Sequence, residues 1–402
     1  MSSVEEQSRQ LQDIYRRLAE TDAAREADAE LRSLTEEEAK FAASQWTMIW
    51  RRFRRNRAAI IGGIIVALYY LVALFANFVA PYGLTTRDID LIFLPPQRVH
   101  FELDGIVPRP YIYGVESGRD PVTLKKTHVT TDEKIYLKFF ASGEEYDLIP
   151  GNPFFDAIKT DVHLFGTPEG VVSLMGRDSQ GRDLFSRIVL GARVSLFIGL
   201  IGVALSLTLG TILGIASGYY GGWVDEIIQR LIEIVRAFPS IPLWMALSAA
   251  IPQNWSQTER YFAVTLILSV IGWTWLARQL RGQVLSLRQS DYVMAARLAG
   301  ASDSRIIFKH LIPATIGQII VVTTLSLPAM ILAETSLSFL GLGLRPPITS
   351  WGVLLKEAQD LSLSAFALYP WVTLPAIVML IVMLAFSFLG DGLRDAADPY
   401  TV

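Results

Sequence analysis

The apolar residues of this chain are gathered into blocks of the length that crosses a bilayer. The apolar core of a bilayer is about 30 Å thick, and a helix of about 20 residues spans it. Six blocks approach or reach that length, at residues 58–80, 194–219, 227–251, 262–277, 314–333 and 371–389. The third block begins polar and becomes wholly apolar after Arg236. This pattern predicts an all-α polytopic membrane protein with six transmembrane helices.

Polar segments around the first block indicate its orientation. Residues 1–44 form a polar tail, and residues 45–57 combine aromatic residues with five arginines (Arg51, Arg52, Arg54, Arg55 and Arg57). Such a segment is typical of a short helix in the headgroup layer, and arginine-rich flanks stay in the cytoplasm. We therefore expect 1–57 to be a cytoplasmic tail with an interfacial helix. With six crossings, both termini lie in the cytoplasm.

The segment 81–193 is the longest polar connection, and we expect it outside the membrane. Within it, about 97–170 carries short β-prone runs separated by Gly, Pro, Asp and Glu. The runs predict a small β-rich extracytoplasmic insert, although an irregular loop is the alternative. The remainder, 194–402, would be a core of five transmembrane helices with a cytoplasmic loop at 279–313.

Composition excludes several kinds of chemistry. Of the 402 residues, 51% are apolar and 19% charged, and the net charge of −3 argues against nucleic-acid binding. There is no cysteine, and the four histidines are scattered, so no metal site is predicted. No G-x-x-x-x-G-K-[ST] phosphate loop is present. The chain is thus expected to bind no cofactor and to hydrolyse no ATP itself.

The most informative stretch is 291–313. It predicts a helix from Asp291 to Leu298, a turn at Gly300 and a second helix from Asp303. Ser302 is placed to cap the second helix with its hydroxyl group. Small residues at Ala295 and Ala296 leave a face on which another surface could pack closely. An ordinary amphipathic loop is the alternative interpretation.

This stretch resembles the EAA loop of the membrane subunits of bacterial ABC importers. Ala295, Ala296, Gly300 and Pro313 match its pattern, whereas Met294 stands where the family usually has Glu. In that family the loop docks in a groove of the ATP-hydrolysing subunit and follows its motion. The resemblance implies a coupling role for Asp291, Tyr292, Ala295, Ala296, Gly300, Ala301, Ser302, Lys309 and Pro313.

Four further motifs resemble the permeases of the dipeptide/oligopeptide/nickel type. They lie at 176–195, 218–225, 334–352 and 392–399, and the resemblance covers about 45–96 and 171–400. It implies a type I ABC importer permease fold in the bacterial cytoplasmic (inner) membrane. The implied partners are a second, homologous permease subunit, two ATPase subunits or domains holding ATP and Mg, and a solute-binding protein.

The same resemblance implies alternating access as the mechanism and a peptide-like solute as cargo. Related permeases also carry oligosaccharides, opines or metal chelates, and these remain open. Pro239 and Pro242 predict a kink or break in the third span. A secondary transporter would need discontinuous helices in matching halves, and no second half matches this broken span. A membrane sensor would need an output domain, and none is recognised.

Charged residues near the spans are candidates for the solute pathway. Glu226, Arg230, Glu233 and Arg236 fall on one helix face, which predicts either paired structural charges or an inner gate. Glu334 is a lone acid at the outer end of the fifth span, with Ser336 beside it. It would either face the pathway or pair with an outside arginine.

Alternating charges at 178–187 precede the second span. Asp178, Arg182, Asp183 and Arg187 are expected on a helix just outside the membrane, as a salt-bridged scaffold or as a docking surface for the binding protein. Trp351, in the Ser-Trp-Gly motif, is a second docking candidate.

Overall fold

The computed structural model describes residues 45–104, 107–119, 121, 126–149, 158–168, 170–361 and 367–397. The predicted polar tail, 1–44, lies outside the described residues. The described helices are α1 (Gln45–Phe53), α2 (Arg57–Leu74), α3 (Ala76–Val79), α4 (Leu184–Tyr220), α5 (Gly222–Ala237), α6 (Ser240–Ala249), α7 (Gln257–Leu287), α8 (Asp291–Leu298), α9 (Asp303–Ile306), α10 (Ile312–Phe339), α11 (Trp351–Gln359) and α12 (Leu374–Ala397).

Within the described residues, five helical segments are long and apolar enough to cross a membrane. They are Arg57–Leu74, Leu184–Tyr220, Gln257–Leu287, Asp303–Phe339 and Pro370–Ala397. The predicted third span is instead the pair α5 and α6, which is bent by 85°. The break falls at Phe238 and Pro239, since proline lacks the amide hydrogen that would continue the helix.

The register of α4 against α7 shows that the bent pair crosses the bundle. A Cβ atom added to Gly210 would meet Trp273, and one added to Gly218 would meet Arg281, so both helices run in the same direction. The chain between them must therefore return from the end of α4 to the start of α7. The six predicted crossings are thus retained, one of them as a broken helix.

Helix boundaries extend beyond the apolar blocks. The second span was predicted from 194, but α4 begins at Leu184, because the Asp183 side chain caps it by accepting from the Ser186 amide. A capping box of Ser256 and Glu259 likewise starts α7 before the predicted 262. At 1.5 Å per residue the 37 residues of α4 are about 55 Å long. This helix therefore projects well beyond the bilayer core.

The predicted β-rich insert is confirmed. Its strands are β1 (His100–Asp104), β2 (Val107–Arg119), β3 (Lys126–Tyr136), β4 (Lys138–Ile149) and β5 (Ile158–Gly166). The first three form an antiparallel sheet in the order β1-β2-β3, and β4 and β5 form a separate antiparallel hairpin. The side of the bundle that carries these strands is called the insert end, and the opposite side, which carries α8 and α9, the loop end.

Candidate functional site

The helical hairpin of α8 and α9 lies at the loop end. The prediction of a helix over Asp291–Leu298 is confirmed, and Gly300 follows it with a φ of +80°. Ser302 caps α9, accepting a hydrogen bond from the Arg305 amide at 3.4 Å. A π-helical turn, Ile307–Leu311, then leads without interruption into α10. The hairpin is therefore joined directly to a membrane-spanning helix.

Buried contacts fix the hairpin to the ends of α4 and α7. Val293, Ile306 and Leu311 are fully buried in a cluster with Ile215, Tyr219 and Val284. The Tyr219 hydroxyl donates to Asp303 Oδ1 at 2.6 Å, and Arg288 donates to the Gly218 and Tyr219 carbonyls. Because packing and hydrogen bonds both hold it, a displacement of the hairpin would carry along the ends of α4, α7 and α10.

Four large apolar side chains are exposed on the hairpin and on the turn that follows it. Leu298 is 87% exposed and Phe308 71%, and Tyr292 and Met294 are also exposed. We call these four residues the hairpin patch. Of the predicted coupling residues, Asp291, Tyr292, Ala295, Gly300, Ser302, Lys309 and Pro313 are exposed, and Ala296 and Ala301 are half-buried. Sequence reasoning missed Leu298 and Phe308, although large apolar residues in a polar connection between spans were visible.

A cavity of about 1100 Å³ opens between α7 and α10. Its walls are largely apolar, with Trp244, Leu268, Trp275, Val321, Leu325 and Met330 among the lining residues. Three glutamines, Gln279, Gln283 and Gln318, supply polar groups, and Arg52 and Arg394 line its loop end. The Gln318 amide donates to Gln279 Oε1, whereas Gln283 Oε1 is buried without a hydrogen-bond partner among the described residues.

The residues predicted for the pathway do not line this cavity. Glu233 accepts from Arg230 at 2.9 Å on an exposed face of α5, in agreement with the paired-charge interpretation. Arg236 lies over the Trp275 ring, 5.5 Å from its centroid, so it adjoins the cavity through that ring. Ser336 is half-buried and donates to the Leu332 carbonyl.

Both interpretations of Glu334 need correction. Its side chain is fully buried, and it accepts from the Ser338 hydroxyl at 2.7 Å and the Ser195 hydroxyl at 3.3 Å. Ser195 also accepts from the Trp351 amide, at 3.1 Å. Among the described residues, the partners of Glu334 are thus serine and threonine hydroxyl groups on α4, on α10 and at the start of α11. Neither an arginine nor the cavity is in contact with it.

The segment before α4 is a tight turn, where a helix was predicted. Arg177 and Asp183 form an isolated β-bridge, and α4 begins only at Leu184. Asp183 is buried among backbone and serine groups, and its burial raises the pKa of this carboxyl group to about 6.

The charges of this turn form a buried ion-pair cluster. Asp178 accepts from Arg182 at 2.8 Å and from Arg187 at 2.5 Å, and Arg187 also donates to Glu357 of α11 at 2.6 Å. Asp178, Arg182 and Arg187 therefore pair as the scaffold interpretation predicted, with Glu357 as a member that sequence reasoning missed. Asp183 instead accepts from Ser186. A partner protein cannot reach Asp178 or Arg182, which are 6% and 8% exposed.

Trp351 is excluded as a docking residue for the same reason. Its side chain is fully buried, and the indole donates to the Ile188 carbonyl at 3.1 Å. Both docking predictions are therefore wrong, because the segments that contain them fold inward onto α4.

These features define a class of protein. A bundle of crossing helices with an internal cavity, a folded insert at one end and an exposed helical hairpin at the other is the architecture of a membrane transport subunit. The family described as "binding-protein-dependent transport system inner membrane component" matches residues 210–401, and the "N-terminal TM domain of oligopeptide transport permease C" matches 44–96.

Individual relatives match nearly the whole chain. It is 32% identical over 390 residues to the oligopeptide transport system permease protein OppC of Bacillus subtilis, covering 97% of this chain and 99% of the relative. The dipeptide transport system permease protein DppC of Lactococcus lactis is 32% identical, with 91% and 93% covered. The glutathione transport system permease protein GsiD of Escherichia coli is 32% identical, with 88% and 90% covered. The chain belongs to this family of ABC importer permease subunits.

Proposed function

We propose that this chain couples ATP hydrolysis in partner subunits to the import of a peptide-like solute. The observation that carries the proposal is the hairpin patch, an exposed apolar surface on a hairpin that is fixed to three spans. Exposed apolar patches of this kind mark protein interfaces. The occupant would be an ATPase subunit, which would hold ATP and Mg while this chain binds neither.

The coupling follows from the way the hairpin is attached. ATP-driven closure of two ATPase subunits would displace the hairpin, and α9 continues into α10, which lines the cavity. A rigid displacement there would change the access of the cavity from one side of the membrane to the other. A second, homologous permease subunit would close the open side of the cavity and complete the pathway.

The cavity favours a solute rich in amide groups. Glutamine side chains both donate and accept, as a peptide bond does. Gln279, Gln283 and Gln318 stand in walls whose other side chains are largely apolar. The relatives named for oligopeptides, dipeptides and glutathione all handle compounds with peptide bonds. We therefore propose a peptide-like cargo in preference to an oligosaccharide, an opine or a metal chelate.

The sidedness of the chain is part of the proposal. The arginines before α2 and the hairpin would face the cytoplasm, with both termini on that side of a bacterial inner membrane. The insert end would face outward and receive the solute-binding protein. Asp178, Arg182 and Trp351 would support that surface from beneath and would not contact the binding protein.

A matched pair of variants tests the coupling surface. Phe308→Ser should abolish or strongly reduce co-purification of the ATPase subunits and uptake of a labelled oligopeptide by the reconstituted transporter. Phe101→Ser removes an aromatic ring of similar exposure, 68% against 71%, at the insert end. This control should retain the ATPase subunits.

Two results would contradict the proposal separately. Normal co-purification and uptake with Phe308→Ser would overturn the coupling role of the hairpin patch. A transporter that carries an oligosaccharide or a metal chelate but no peptide would overturn the cargo, while the co-purification result would stand.

A further inference from the structure

The β4–β5 hairpin carries two large rings that the fold leaves uncovered. Phe139 is 67% exposed and Phe140 68%, although both lie in a β-rich insert whose Tyr111 is buried. Water-exposed phenylalanines are costly to a folded domain, because their apolar area remains hydrated. A neighbouring pair of them therefore indicates a surface that is covered in the membrane-embedded protein.

The backbone at Phe140 is held in an unusual conformation. Its φ is +54°, in the left-handed region that bulky residues seldom adopt. Regular alternation along a strand would place adjacent side chains on opposite faces. The pairing with β5 stays in register on both sides of Phe140, and both rings remain at the surface of this two-stranded hairpin. Strain of this kind persists where the surrounding structure requires it.

The position of these rings relative to α2 indicates what covers them in the membrane. Leu71, Leu74 and Phe75 are exposed at the insert end of α2, and their spacing places them on one apolar face, as a face toward lipid would be. Phe78 follows at the next position of the same series, and its ring centroid is 6.0 Å from that of Phe140. The lipid-facing stripe of α2 thus continues onto the β4–β5 hairpin.

Polar contacts hold the β4–β5 hairpin beside the insert end of α2. The two ring nitrogens of His163, on β5, lie 3.0 Å from the carbonyl oxygens of Asn77 and Glu144, so the ring joins the segment after α2 to β4. Arg193 of α4 donates to the Ala73 carbonyl and to the Asn77 side chain, at the end of α2. Such a guanidinium group at a helix end is typical of the boundary between acyl chains and headgroups.

We propose that Phe139 and Phe140 insert into the lipid interface and anchor the insert to the outer surface of the membrane. We call the two residues the phenylalanine anchor. The exposed Lys138 beside them would face lipid phosphate groups. The proposal rests on the membrane location of the chain and is independent of the cargo and of the ATPase contact.

The chain contains no cysteine, so single cysteines can report on each position. Full-length variants Phe139→Cys and Val129→Cys are labelled with bimane and reconstituted with the partner subunits in phospholipid vesicles. Val129 is 65% exposed on the other sheet and serves as the matched control. Lipids with a nitroxide near the headgroup quench a label in the interface, and iodide quenches a label in water.

The expected result is a loss of fluorescence with nitroxide lipid and protection from iodide at position 139, and the reverse at 129. Iodide quenching at 139 equal to that at 129 would overturn the proposal. Protection at 139 that arises only after the solute-binding protein is added would also overturn it, because the surface would then be a protein-docking site.

A second variant guards against a local effect of the label. Bimane at Lys138→Cys leaves both rings in place and should be quenched by nitroxide lipid. Adding Phe139→Ser and Phe140→Ser should remove that quenching, whereas adding Phe101→Ser should leave it unchanged. Unaltered quenching after loss of both rings would show that they do not anchor the β4–β5 hairpin.

Discussion

Gly300 shows how a single backbone angle can carry a function. Its φ of +80° lies in the left-handed region, and a Cβ atom added there would meet nothing within 4 Å. The requirement for glycine is thus conformational, with no steric contribution from neighbouring residues. The sequence predicted this turn correctly, because the signal is local: a glycine between a helix end and a serine cap.

A purely conformational requirement for glycine leads to a prediction for position 300. Valine at this position should disfavour the left-handed turn by roughly 1–2 kcal/mol and tilt α8 relative to α9. Binding-protein-stimulated ATP hydrolysis should fall while the protein still inserts. Asparagine, which tolerates the left-handed region, should retain most of the hydrolysis. Equal activity of Gly300→Val and Gly300→Asn would show that the turn does not matter for coupling.

Glu334, Trp351 and Asp178 show the limit of residue-level reasoning. Their types and positions are plain in the sequence, but their roles depend on contacts that span 139 to 170 residues of the chain. Glu334 contacts Ser195 and Trp351 contacts Ile188, while Arg187, which pairs with Asp178, also pairs with Glu357. A charged or aromatic residue near a predicted outer surface is compatible with docking, pathway or scaffold. Only the packing of α11 onto α4 decides among these possibilities.

At the scale of elements, the close packing of α4 against α7 depends on glycines of α4. The backbone of α7 approaches Gly214 so closely that an added Cβ would lie 2.7 Å from the Ala277 carbonyl oxygen. Small residues four apart permit such approach in membranes, where helix association depends on close packing. The sequence shows this spacing at 210, 214 and 218, yet only the structure identifies α7 as the partner.

The same substitution at two glycines should therefore have different effects on stability. Gly214→Ala forces α4 and α7 apart and should cost about 1–3 kcal/mol as overpacking. Gly282→Ala, on α7, places its Cβ in open space and should be neutral or stabilising by roughly 0.5–1 kcal/mol, because alanine favours helix. Thermal unfolding of the purified variants measures both. A midpoint lowered equally in the two would contradict the close-packing argument.

Element boundaries were the least accurate part of the sequence prediction. Apolar blocks mark what lies in lipid, whereas caps such as Asp183 and Ser256 decide where a helix begins. The 85° bend between α5 and α6 was foreseen as a proline break, but its angle depends on tertiary packing. Hydropathy therefore predicts the number of crossings better than their lengths.

At the scale of the whole molecule, the direction of each span follows from one pair of helices. Because α4 and α7 run parallel, α5 and α6 must together return across the membrane, which places the insert and the hairpin on opposite sides. If α5 and α6 lay flat at one surface, the hairpin would follow an odd number of crossings and share the side of the insert. The two arrangements therefore differ in whether the insert and the α8–α9 hairpin lie on opposite sides of the membrane or on the same side.

Single cysteines on the two sides distinguish these arrangements. Ser142, on β4, and Ser304, on α9, are both exposed. Ser304 is used in preference to Ser302, because the Ser302 hydroxyl caps α9 and its replacement would disturb the helix. In intact spheroplasts, an impermeant maleimide should label Ser142→Cys but should label Ser304→Cys only after lysis. Labelling of both before lysis would show that α5 and α6 do not cross, and it would remove the hairpin patch from the compartment where ATP is hydrolysed.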